Sequence, residues 1–280
     1  MSDFESSDFQ AGDSIKPERE GLPSGYRMRA DAHYVDLLAS SPRAERPRAE
    51  PTRVRDDHTQ MRAARDRRVL EHLSGDVAAI EAAAAMLSAE ATPLARRVSL
   101  DLIKAQSARA SWLLRAQALL AGYDADRASR SHIIGDVLAG VRDRLAAECR
   151  LNGVGLQVTC ESRAAVTIDD TLLTVGVTGA VLSLAGLLTG LEGAVIRVDA
   201  LVEVDGDEDD LQSIEICQDA VAVPSSLKQR FFDADWVERP GGWLGAIGAA
   251  TAEVAAVQLG GGITLSVGNR RGCTLRFEFA

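Results

Sequence analysis

Four groups of residues in this chain could carry chemistry. Cys149, Cys160, Cys217 and Cys273 are far apart and form no C-x-x-C pair, so they read as reduced, buried thiols rather than a metal or redox site. The acidic run from Asp205 to Asp210 offers carboxylates to a hard cation. It lacks the ligand spacing of an EF-hand and reads as a solvated hairpin tip. Gly241-Gly-Trp-Leu-Gly245 and Gly260-Gly-Gly262 are glycine-rich, as phosphate cradles are. Trp243 stands inside the first and the second suits a tight helix-to-strand turn, so both read as turns. The fourth group is the pair Glu71-His72. A histidine there is either a nucleophile or an exposed or capping residue without chemistry, and the helix face it occupies decides between them.

The elements that position this pair run over residues 70–120. Leu70, Leu73, Val77, Ile80, Ala84 and Leu87 follow a 3, 4, 3, 4, 3 spacing, which keeps one apolar seam on one helix face. Thr92 is a fair N-cap, and Pro93 suits a first helical turn that needs no backbone donor. The second helix carries Val98, Leu102, Ala105, Trp112, Ala116 and Leu119 on one side, with Leu100, Ile103, Leu114 and Leu120 as a second stripe. Two stripes need two partners. One is the first helix. The other is expected to be the same hairpin of a second chain, as a four-helix bundle, or else the chain's own C-terminal domain.

Residues 1–52 read as a disordered arm and linker, acidic at the start and proline-rich at the end, because they cannot bury enough apolar surface to offset ordering entropy. Within it, residues 25–39 hold an apolar island with Tyr26, Tyr34, Leu37 and Leu38. A helix this short needs a surface to dock on, its own core or a partner. Residues 53–122 form the hairpin, helical from near Thr52 and basic at Arg62, Arg65, Arg67 and Arg68. Gly122 is expected to end it as a C-cap, and a polar connector leads to a third domain at 130–280. There, helices over 133–150, 171–188, 226–232 and 243–259 alternate with strands over 156–160, 164–168, 194–204, 214–217, 263–267 and 274–279. The fold class is α+β, a helical hairpin followed by an α/β sandwich with helices on one face of a sheet. The net charge of −10 and an aromatic content of 4% argue against a nucleic-acid surface. With no apolar run of spanning length and no leader-like start, the chain is expected to be cytoplasmic, without a membrane partner.

The element order resembles sensor histidine kinases, in which a dimeric hairpin carries the phosphorylated His and the next domain binds ATP. It is more similar to ChpT-type histidine phosphotransferases, which keep both parts without ATP binding. Arg68-Val-Leu-Glu-His-Leu-Ser-Gly-Asp-Val-Ala-Ala-Ile80 resembles the phosphoacceptor helix. Leu100-Asp-Leu-Ile-Lys-Ala-Gln-Ser-Ala-Arg-Ala-Ser-Trp-Leu113 resembles the second helix, and Leu188-Thr-Gly-Leu-Glu-Gly-Ala-Val-Ile-Arg-Val198 the approach to the central strand.

The departures from the pattern shape the expected function. Ile80 lies nine residues after Glu71, the interval that separates the acceptor His from an Ile in the family. Glu71 therefore holds the acceptor register, His72 follows it, and Gly75-Asp76 replaces a small residue and Pro. In the kinases two Asn on the long helix serve Mg²⁺ and phosphate; Gly179 and Ser183 stand there. The adenine-reading Asp-x-Gly-x-Gly becomes Asp219-Ala-Val-Ala-Val223, with Val221 and Val223 in place of glycines. The resemblance thus implies a dimeric, catalytically degenerate phosphotransferase-like protein, with no cofactor and no metal. It is not expected to be an ATP-dependent kinase. Its partners would be itself and a response-regulator receiver domain or a histidine kinase. Arg68, Glu71, His72 and Gly75 would form the docking face, joined by Tyr26, Tyr34, Leu37 and Leu38 of the arm. Two alternatives are an active phosphotransferase using His72 as the catalytic residue, and a scaffold acting through the arm.

Overall fold

A computed structural model describes residues 51–87, 91–122, 129–160, 165–205, 208–236, 241–267 and 272–279. The arm and its motif at 25–39, with Tyr26, Tyr34, Leu37 and Leu38, lie outside the described residues. The hairpin consists of α1 (Pro51–Ala85) and α2 (Pro93–Leu120). Thr92 caps α2, its hydroxyl accepting from the Ala95 N–H at 3.2 Å. Ala121 is the C-cap, and Gly122 beyond it takes a left-handed φ of 76° that a side chain would resist.

The rest of the chain runs β1 (Arg130–Ile133), α3 (Ile134–Leu151), β2 (Gly155–Thr159), β3 (Ala165–Ile168), α4 (Asp170–Leu187), β4 (Val195–Asp205), β5 (Glu208–Gln218), α5 (Gly242–Gln258), β6 (Gly262–Val267) and β7 (Cys273–Glu278). Five strands form one mixed sheet in the order β2-β4-β5-β7-β6, with β2 and β4 parallel and the other pairs antiparallel. In β7, Cys273, Leu275 and Phe277 face the core while the alternate residues face out. On the opposite face Arg276 pairs with Glu215, and Arg197 with Asp219, which leaves that face polar.

Several boundaries differ from the sequence reading. Arg130–Ile133 is a strand rather than connector and helix start, and it pairs with β3 in a separate two-stranded ribbon. The strands at 156–160 and 164–168 therefore do not pair with each other. The acidic run is largely strand, with Glu208 opposite Asp205 and Asp210 opposite Glu203. Ser225–Arg230 is a 3-10 turn, not an α-helix. The 18-residue α4 is also long and apolar enough to cross a membrane, contrary to expectation, but 72% of it is buried inside the protein.

Helices α4 and α5 pack along each other and cover the sheet with α3. The α4–α5 approach is backbone to backbone. A Cβ on Gly179 would lie 2.5 Å from the Gly248 carbonyl oxygen, and one on Gly248 2.5 Å from that of Gly179. Helix α2 lies on the outer side of this layer, touching α3, α4 and α5, and α1 packs on α2. The second partner of α2 within the chain is thus its own C-terminal domain. Trp112, of the first apolar stripe, donates its indole N–H to the Val175 carbonyl of α4 at 3.0 Å.

Candidate functional site

The site is the junction where α1 and α2 meet the C-terminal domain. The face of α1 that turns inward is offset from the expected seam. Val69, Asp76 and Ala83, at intervals of seven, are buried, whereas Leu70 and Val77 are 64% and 52% exposed. One residue is about 100° around a helix, so a small rotation moves a whole stripe. Leu73 remains packed on the core from the edge.

This rotation brings a carboxylate into the interface. Asp76, 1% exposed, accepts from the Arg109 Nε at 3.1 Å. Arg109 also bonds Gln106 and reaches Glu148 of α3 at 3.4 Å. Asn152 donates to Glu148 in turn, at 3.1 Å. Burial opposes the charge on Arg109, but the Asp76 hydrogen bond and the Glu148 field outweigh it and raise its pKa. The buried charge of Asp76 is therefore matched and hydrogen-bonded, as such a site requires. Arg65 adds an ion pair to Asp235 at 3.2 Å, and Arg150 one to Asp101 at 2.7 Å.

His72 lies on the same inward side of α1. Its ring stacks on Trp243 at the start of α5, with centroids 4.5 Å apart and planes 19° from parallel. Desolvation first, then the nearby Arg109 charge, lowers its pKa, against the opposing fields of Asp76 and Glu71. A neutral imidazole stacked on an indole results. Glu71 and Gly75, one turn apart, are exposed on the other side, and Arg68 is half-buried. A Cβ at Gly75 would meet nothing within 4 Å, so no packing demands glycine there. The four α1 residues proposed as one docking face are thus split between two faces.

The positions aligned with a nucleotide site do not converge on an open cleft. Gly179 is closed by Gly248. Ser183 is fully buried, and its hydroxyl donates to the Ala180 carbonyl at 2.8 Å. Asp219 is exposed and pairs with Arg197 at 3.3 Å. Val223 is in the core, and the Val221 N–H donates to the buried Gln218 side chain at 2.9 Å. Among the described residues no group of His, Cys, Asp and Glu is placed to hold a metal ion. Cys149 is buried and its thiol is pushed up to about 11 by desolvation, which leaves it unreactive near neutral pH.

Sequence reasoning missed Trp243 as the partner of His72 and Arg109 as the partner of Asp76. One signal was available. Asp76 sits three residues after Leu73 and four before Ile80, a charge on the helical rhythm of the seam itself.

No protein-family model matches the chain, and no curated protein matches it. Solved structures share its outline. A bacterial phosphotransferase is similar with a TM-score of 0.45 and 13% identity, over 79% of this chain and 95% of that one. The catalytic domain of the histidine kinase ThkA is similar with a TM-score of 0.44 and 14% identity, over 54% and 94%. Full-length ShkA in complex with AMPPNP is similar with a TM-score of 0.44 and 13% identity, over 78% of this chain and 46% of that one. At these scores the likeness is one of outline, and function must be read from the residues of the junction.

Proposed function

We propose that this chain is a catalytically degenerate, phosphotransferase-like signalling protein that binds a receiver domain or a histidine kinase without taking up phosphate. The observation that carries this reading is the placement of the Glu71-His72 pair. An acceptor imidazole must present a nitrogen lone pair to an incoming aspartyl phosphate. Here His72 is half-buried on the inward side of α1, held against Trp243, and the side chain pointing outward is a carboxylate, which repels a phosphoryl group. The closed Gly179–Gly248 contact supports the second half of the reading, the loss of ATP chemistry. A Mg²⁺ ligand at position 179 would need a side chain where there is room for none. The outer face of α1, around Glu71 and Gly75, with exposed Leu70 and Val77 beside it, is the surface we assign to partners, including a second copy of the chain.

Purified chain mixed with receiver domains carrying radiolabelled aspartyl phosphate tests this directly. The wild type and His72→Ala should both stay unlabelled while still capturing a receiver. The exchanged pair Glu71→His with His72→Glu puts an imidazole on the outer face and is the variant expected to gain label. Acid-labile label on the wild type that vanishes in His72→Ala would overturn the reading and make the chain a working relay. Calorimetry should show no Mg²⁺-dependent ATP binding.

A further inference from the structure

Between α2, α3 and α4 lies a cleft of about 370 Å³. Its walls are Trp112, Leu145 and Leu182, with Thr178 at its side and Arg115 and Arg144 also lining it. That volume is in the range of small-molecule sites, which are mostly apolar with a few placed polar groups. Thr178, 6% exposed, adds a polar side chain to this lining. Arg109 and Glu148 also line the cleft but satisfy each other. Arg115 and Arg144 differ. Both are exposed, and neither has an ion-pair partner among the described residues. In a chain of net charge −10, two uncompensated guanidiniums on an apolar cleft form a local positive field that concentrates anions. Their planar forks match the oxygens of a carboxylate, phosphate or sulfonate.

We propose that this cleft binds an amphipathic anion, with Arg115 and Arg144 holding its charged head and Trp112, Leu145 and Leu182 packing against its apolar body. Since the cleft is bounded by the hairpin on one side and the C-terminal domain on the other, its ligand bridges the two. The assignment stands apart from the phosphotransfer reading, because neither Glu71 nor His72 lines the cleft.

The test uses the full chain and two fluorescent probes with the same apolar body. 8-Anilinonaphthalene-1-sulfonate carries a sulfonate; N-phenyl-1-naphthylamine is its uncharged parent. The sulfonate should saturate a single site per chain, and the parent should bind about tenfold or more weakly, the difference expected of a charge-assisted hydrogen bond. Arg115→Ala with Arg144→Ala should weaken the sulfonate by a similar factor while leaving the parent and the melting temperature unchanged. Ala108→Trp, which fills the cleft from α2, should abolish binding of both. If that variant does not fold, the exposed arginine pair still decides. Equal affinity for the two probes, several equivalent sulfonate sites, or a sulfonate affinity indifferent to both arginines would overturn the proposal.

Discussion

At the scale of single residues, His72 and Gly179 carry the proposed reading. The imidazole on Trp243 is kept neutral because burial and Arg109 disfavour its protonation. A histidine with a lowered native pKa binds its proton more readily in the unfolded chain. The contribution of His72 to stability should therefore be constant above about pH 6.5, its unperturbed value, fall as pH drops through the window down to the lowered native pKa, and level off below it. His72→Ala should remove that part of the pH dependence and cost about 0.5–1.5 kcal/mol of stacking at neutral pH. Denaturant titrations at a series of pH values check both. At Gly179, introducing the asparagine that the resemblance to the kinases calls for should not create a nucleotide site. The new side chain meets Gly248 backbone, which cannot swing away. Gly179→Asn should destabilise the fold by about 1–3 kcal/mol or more, as overpacking does, with no gain of ATP binding by calorimetry.

At the scale of elements, the hairpin is joined to the domain through a buried charge network as well as through apolar packing. Asp76 on α1, Arg109 on α2 and Glu148 on α3 connect three helices through one guanidinium. Removing one partner of a buried pair leaves the other uncompensated. Asp76→Ala should therefore cost about 3–5 kcal/mol in chemical denaturation, far more than the neighbouring exposed change Gly75→Ala. The latter should stabilise α1 by about 0.5–1 kcal/mol, since the added methyl meets nothing and alanine loses less backbone entropy. The expected helix seam was correct in period and offset in phase. Leu70 and Val77 satisfy the 3.6-residue rhythm as well as Val69 and Asp76 do, and periodicity cannot tell which side meets a core.

At the scale of the whole molecule, burial is uneven along the hairpin. Trp112, Leu113, Ala116 and Leu119 belong to a core continuous with α4 and the sheet. Leu100 and Leu114 of the second stripe, 46% and 58% exposed, join Leu70 and Val77 as apolar residues left outside it. Each would gain roughly 1.5–3 kcal/mol on full burial, and a second copy of the hairpin is the occupant we propose. Sedimentation should find a dimer for the wild type and a monomer for Leu70→Glu with Val77→Glu. Leu73 and Ile80 are the wrong positions for that test, since Leu73 packs on the chain's own core and Ile80 is half-buried. A monomeric wild type would remove the dimer from the functional reading.

The helical hairpin, the Thr92-Pro93 start of its second helix and the helices α4 and α5 were legible in the amino-acid sequence. These are local properties, written in periodicity, capping residues and side-chain chemistry at single positions. The pairing of strands, the side of α1 that faces inward and the surface against His72 are properties of the folded chain alone. Strand pairing joins β2 to β4 and β1 to β3 across an intervening helix, and no local pattern encodes a partner that distant in the chain. The inward face of α1 carries Val69, Asp76 and Ala83, and the partner that lets Asp76 be buried there, Arg109, belongs to another helix. Trp243 reads in sequence as a residue that spoils a phosphate cradle and leaves a turn. Its role as the surface on which His72 rests exists only once α5 starts beside α1.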